Sequence, residues 1–214
     1  MILLLLYILI LIVFLAEIGR DGLWHSILTF FNVLFSGTLT MNFFEPAALQ
    51  LDIWFPSFSY FVDFFAFWGL FIAFSLLIRL STQALSKVRV RFLKPVDLAG
   101  GAIVSLWAGW IMISLVATSL HLAPLPVNSF GSFQSDPTPR ADLNPDRNWL
   151  ALMHRISQGS FSRSADSENG VLGAFDPEGE FILRYGARRG TLANLESLRV
   201  RRTWGSGKIQ DEQP

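Results

Sequence analysis

The side chains that could do chemistry are few. The chain has three histidines, His25, His121 and His154, and no cysteine. Lack of thiols excludes disulfides, thiolate metal sites and cysteine nucleophiles. His25 and His121 fall near opposite ends of apolar segments and His154 lies in a polar stretch, so their spacing predicts no shared metal centre. No H-E-x-x-H, G-x-S-x-G or phosphate-loop pattern occurs. Gly170, Gly173, Gly179 and Gly186 do not make a phosphate cradle. The sequence therefore predicts no catalytic residue, no cofactor and no metal, and a protein that is not an enzyme.

Three polar side chains inside apolar segments carry the remaining chemical content. Asp63 lies about one turn into the run 60–80, and a charge within a membrane span is costly enough to suggest a role by default. Asn32 lies inside the run 23–44 among Ser26, Thr29, Ser36, Gly37, Thr38 and Thr40. One reading makes Asn32 and Asp63 a polar path for a transported substrate. The other makes the small and hydroxyl residues a packing face and leaves Asp63 hydrated near the outer interface. Asp97 follows Pro95 at the start of a third such run. Proline needs no N–H there and an acid complements the positive helix end, so Asp97 is expected to anchor a helix start and a loop rather than to act as a catalytic acid.

The elements that must position these residues are membrane spans. The 214 residues are 51% hydrophobic, with a mean hydropathy of +0.42, above the usual range of soluble domains. The long apolar runs lie before residue 123 and give four predicted spans, at about 1–18, 23–44, 60–80 and 96–120. The first lacks the basic start and small-residue cleavage site of a signal peptide, so it is expected to be an uncleaved span. The segment 45–59, with Glu45 and Asp52 and no Lys or Arg, is expected to be a connection. The fourth span carries Gly100, Gly101, Ser105 and Gly109, and the four-residue spacing of Gly101, Ser105 and Gly109 brings helices close. The fold class expected is an all-α membrane protein: a four-helix transmembrane bundle with a small, partly ordered α+β or irregular C-terminal tail.

Net charge is zero, from 17 Lys+Arg and 17 Asp+Glu, so no whole-chain field favours nucleic acid. The local clusters are informative. The connection 80–94 carries Lys87, Arg89, Arg91 and Lys94 without an acid. It is expected to be a topogenic cytoplasmic loop. Loop 19–26 carries Arg20 and loop 45–59 carries no base, so the alternation puts the N-terminus and the tail outside the cytoplasm. The lipid bilayer is the expected partner, with other membrane or envelope proteins or self-association as further candidates. Residues 123–145, with five prolines, read as a linker. Residues 146–161 read as a helix. Residues 171–186 read as a hairpin, with 181–185 as its second strand. Residues 192–200 read as a short helix or strand, and 204–214 as disordered. Too few apolar residues remain for a large core, so the tail is expected to pack on the spans or on a partner.

Two stretches carry a family resemblance. One is the exit from the first span, Gly19-Arg20-Asp21-Gly22-Leu23, followed by the Ser/Thr-bearing helix. The other is the start of the fourth, Val96-Asp97-Leu98-Ala99-Gly100-Gly101-Ala102, with Ser105 and Gly109 beyond. Over residues 1–122 the chain resembles the CvpA family of colicin V production proteins. It departs from that pattern in having Asp97-Leu98 where the family often has Asp-Arg, and in lacking an acid early in the first span. The resemblance implies a four-span protein of the bacterial inner membrane, linked to toxin production or export and to envelope homeostasis. It does not cover the tail. A transporter or channel subunit and a membrane-anchored sensor acting through the tail remain the alternatives from the residues alone.

Overall fold

A computed structural model describes residues 2–55, 59–85, 90, 92–125, 144–157, 175–176 and 179–193. The order is α1 (Ile2–Val13), α2 (Leu23–Trp54), α3 (Ser59–Leu85), α4 (Lys94–Leu122), α5 (Pro145–Ser157) and α6 (Phe181–Ala193). The first span continues past α1 through a π-helical turn, Phe14–Ile18, and a 3-10 turn, Gly19–Asp21. Four helical segments are long and apolar enough to cross a membrane. The described residues contain no strand.

The spans are longer than the hydropathy runs predict. The segment 45–54 is not a connection: α2 runs through Pro46 to Trp54. Proline deletes one backbone donor and ordinarily breaks a helix. Here the turns beyond it stay packed, because Ala48 and Leu51 meet Val62 and Ala66 on α3, and packing outweighs one missing hydrogen bond. The α2–α3 hairpin thus keeps its contact along nearly its whole length. Helix α2 also packs along α4, which in turn receives the first span.

On α2 and α4, the hydroxyls of Ser36, Thr40, Ser105, Thr118 and Ser119 are among those almost fully buried. Each donates to a carbonyl of its own helix or, for Ser36, to Asn32. They are thereby satisfied in an apolar surrounding and let two backbones approach.

The tail supplies the second correction. Residues 181–185 are not a strand but the first turns of α6. The Asp176 carboxylate explains the change, because it accepts the N–H of Glu180 at 2.8 Å and that of Phe181 at 3.1 Å. These are donors that a helix start leaves orphaned. Phe181 and Tyr185, four apart, then lie on one buried face against Phe44 and Phe175. The predicted helix 146–161 is α5, with its described part ending at Ser157. The linker prolines 126, 137 and 139, the loop 162–170 and the segment 204–214 lie outside the described residues.

One apolar cluster among the described residues joins spans and tail. It contains Met41, Phe44, Phe67, Leu115 and Leu122 from the spans and Trp149, Met153, Phe175, Phe181 and Tyr185 from the tail. Of the two expectations for the tail, packing on the spans or on a partner, the described tail residues show the first.

Candidate functional site: the junction of the first turn with the fourth span

The residues singled out at 19–22 and 97–109 come together. Gly22 ends the first turn with φ 90° and ψ 171°, a region that is essentially glycine-only. This conformation turns the chain so that the Leu23 N–H, an orphan donor at the start of α2, points at α4. The Asp97 carboxylate accepts it at 2.8 Å. Asp97 therefore serves two helix starts: it lies in the first turn of α4, and it caps α2 from 74 residues away. The carboxylate sits where a Gly22 side chain would be, since a Cβ built there would lie 2.6 Å from Asp97 Oδ2.

The glycines of α4 continue the contact. A Cβ on Gly101 would meet the Gly19 carbonyl oxygen at 3.1 Å and the Leu23 nitrogen at 3.2 Å. Both are backbone atoms that cannot swing away. Gly100 receives the Leu23 side chain, Ser105 lies under Gly19, and Gly109 receives Leu11 and Phe14. The wider π turn followed by the tighter 3-10 turn brings this chain segment onto α4. Ser26 closes the turn by donating to the carbonyls of Ile18, at 3.2 Å, and Gly22, at 3.0 Å. Ser26 was legible only as one hydroxyl among many.

Asn32 and Asp63 are not brought together. Asn32 donates to the Ser75 carbonyl at 3.3 Å and accepts from Ser75 Oγ and Ser36 Oγ. Asp63 lies twelve residues earlier on α3, about 18 Å along the axis. It is ion-paired with Arg188 of α6. One clasps α2 to α3 and the other fastens the tail. Asp63 is thus joined to a partner that sequence spacing does not reveal, because Arg188 is 125 residues away. A second ion pair joins Arg184 to Glu45. Burial lowers the Arg188 guanidinium from its usual range, against the opposing charge of Asp52.

The histidines have three different partners. His25 lies 3.6 Å from Asp21, and His154 Nδ1 lies 3.0 Å from the Phe175 carbonyl. His121, at the last turn of α4, meets Asp146 of α5 at 2.9 Å with little exposure of either side chain. Burial by itself would raise the Asp146 carboxyl. The hydrogen bond and charge of His121 and two backbone N–H groups outweigh it and hold the group below its usual value. Among the described residues no cluster of His, Asp and Glu could hold a metal. Of the basic loop, Lys94 is the exposed first residue of α4, while Lys87, Arg89 and Arg91 lie outside the described residues.

Trp149 is the residue that sequence reading underrated. It is 2% exposed and stands over the notch left by Gly37, where a Cβ would lie 2.9 Å from its ring. Its indole N–H has no partner among the described residues. The only sequence signal was the stripe Trp149, Leu152, Met153 and Ile156, which shows a helix face but not what that face covers.

The geometry is that of a structural clasp at one end of the spans and a docked tail at the other. A family model described as Colicin V production protein matches residues 3–135. The match includes the whole junction and all four spans. Comparison with curated proteins and with solved structures finds no match.

Proposed function

Because the chain belongs to the colicin V production protein family, we propose that it is a non-enzymatic, multi-pass protein of the bacterial inner membrane. In this reading it supports production or export of a colicin V-like toxin, or homeostasis of the envelope. Its N-terminus and tail face away from the cytoplasm. The observation that supports the orientation is the placement of the basic residues that flank the short connections between spans. Arg20, Arg79 and Lys94 lie toward the end that holds the Asp97 junction. Glu45, Asp52 and Asp63 lie toward the other end, where Arg184 and Arg188 fasten the tail. Basic residues of short loops are retained on the cytoplasmic side.

The arrangement favours a scaffold over a free sensor, because the tail buries its aromatic residues in the span core. It also favours a scaffold over a transporter, because Asn32 and Asp63 are engaged at separate levels. The absence of cysteine makes the orientation directly testable. Single cysteines replacing Leu183 and Lys94 should label differently in intact spheroplasts. An impermeant maleimide is expected to modify the first at once and the second only after permeabilisation. The reverse order would overturn the orientation. For the function, removing the chain from a colicin V-secreting host should lower released toxin activity, with restoration by the intact chain. Unchanged toxin release together with an unchanged envelope-stress response would overturn it.

A further inference from the structure

Helix α6 is held unevenly along its length. Its first half is anchored in three ways. The Asp176 carboxylate accepts the N–H groups of Glu180 and Phe181 at the helix start, at 2.8 Å and 3.1 Å. Phe181 and Tyr185 are buried, and Ile182 packs against the same core. Arg184 pairs with Glu45 of α2. Beyond Tyr185 the burial ends, since none of Gly186, Ala187, Arg188 and Gly190 is buried. Arg188, ion-paired with Asp63, ties this half to α3.

The two glycines of this half have no packing duty. Gly186 and Gly190 lie four apart in the helix interior. Neither has a positive φ, and a Cβ on either would meet nothing within 4 Å. Close approach and unusual backbone, the structural reasons for glycine at Gly101 and Gly22, are both absent here. What these glycines do is weaken the helix, because glycine gives up more backbone freedom on folding than any other residue. The weak half begins where the buried aromatics end.

That half covers a charge. Asp63 lies within the third span and is 8% exposed, a place where an unpaired carboxylate is costly. Asp52 of α2 adds a second negative charge that acts on Arg188. With the helix wound, the guanidinium neutralises and shields Asp63. With residues 186–193 unwound, it no longer does.

We propose that residues 186–193 form a hinged strap, which unwinds at Gly186 while residues 181–185 stay in the core, and that its opening bares the Asp63 carboxylate to water at the tail-side end of the spans. The strap thereby gates an anionic group of the third span without moving any span. It does so whichever side of the membrane the tail faces, so its test is independent of the orientation proposed above.

The test compares the full chain with its Gly186→Ala/Gly190→Ala variant in nanodiscs. Both substitutions leave every charge in place and fill open space. Hydrogen-exchange protection of the amides 188–193, corrected for intrinsic rates, should rise about 25-fold in the variant, roughly fivefold for each glycine. Protection of Leu150–Ser157 in α5 should not change. Modification of Asp63 by a water-soluble carbodiimide with a small amine should slow by the same factor. A rise in protection of less than about threefold would overturn the hinge, as would amides 188–193 in the parent protected as fully as α4. A matching rise in α5 would mean that the tail opens as one unit and would overturn it too. Unchanged modification of Asp63 would show that the strap does not cover the carboxylate.

Discussion

Gly22→Ala is expected to be among the most damaging single substitutions in the chain, lowering stability by about 3 kcal/mol or more. Two independent effects combine. The backbone at φ 90° and ψ 171° belongs to glycine. The new Cβ would also lie 2.6 Å and 2.8 Å from the two Asp97 carboxylate oxygens. Asp97→Ala alone leaves the Leu23 N–H without its acceptor at 2.8 Å and is expected to cost about 2 kcal/mol. Asp97→Asn retains an acceptor and is expected to cost about half of that. The two sites are in contact, so the double variant Gly22→Ala/Asp97→Ala should cost less than the sum by on the order of 1 kcal/mol. Thermal unfolding of the purified chain in detergent measures all four. Gly69→Ala is the control, because a Cβ there meets nothing within 4 Å, and in a helix interior the change is expected to leave stability unchanged or raise it by up to about 1 kcal/mol. Additive costs at positions 22 and 97 would show that the carboxylate and the turn are not coupled.

Trp149→Ala is expected to cost about 3–5 kcal/mol, the range for emptying a large aromatic site. The residue is 2% exposed and lies in the core shared by α2, α4 and the tail. Alanine leaves the space over Gly37 empty, because the ring occupies the place where a Gly37 side chain would be. Trp149→Phe should be far milder, within about 1 kcal/mol. It retains most of the ring volume and removes an indole N–H that has no partner among the described residues, a group whose burial is unfavourable. The pair of variants separates packing from hydrogen bonding. Equal damage from both would mean that the indole N–H holds α5 in place. Destabilisation should spread into the spans, because Leu115 and Gly37 line the same site.

Much of this was legible in the sequence, for identifiable reasons. Apolar length gives four spans directly, since lipid requires the backbone to satisfy itself. Gly19, Gly22, Asp97 and Gly101 were singled out by the family resemblance, Gly101 also by its small-residue spacing and Asp97 as a helix-start anchor, but the contact between the two stretches was not. What sequence could not supply was the partner atom, the Leu23 N–H. The extent of α2 was misread because Pro46 has a strong local preference, whereas Ala48 against Val62 and Ala66 is a tertiary fact. Phe181 to Tyr185 was misread as a strand because five residues rich in apolar and aromatic side chains carry both periods. The Asp176 cap decides for the helix. Asp63 was expected either to line a polar path or to stay hydrated near the outer interface, and in the structure it is buried. Arg188, far along the chain, supplies its explanation.

The central claim is that the tail helices are part of the membrane bundle and not a separate appendage. Hydrogen exchange on the full chain in nanodiscs tests it most directly, because protection follows the cooperative unit to which an amide belongs. If the core is one unit, amides of Leu150–Ser157 in α5 should exchange as slowly as those of Ile111–Leu122 in α4. Exchange of α5 within seconds, with α4 still protected, would contradict the account.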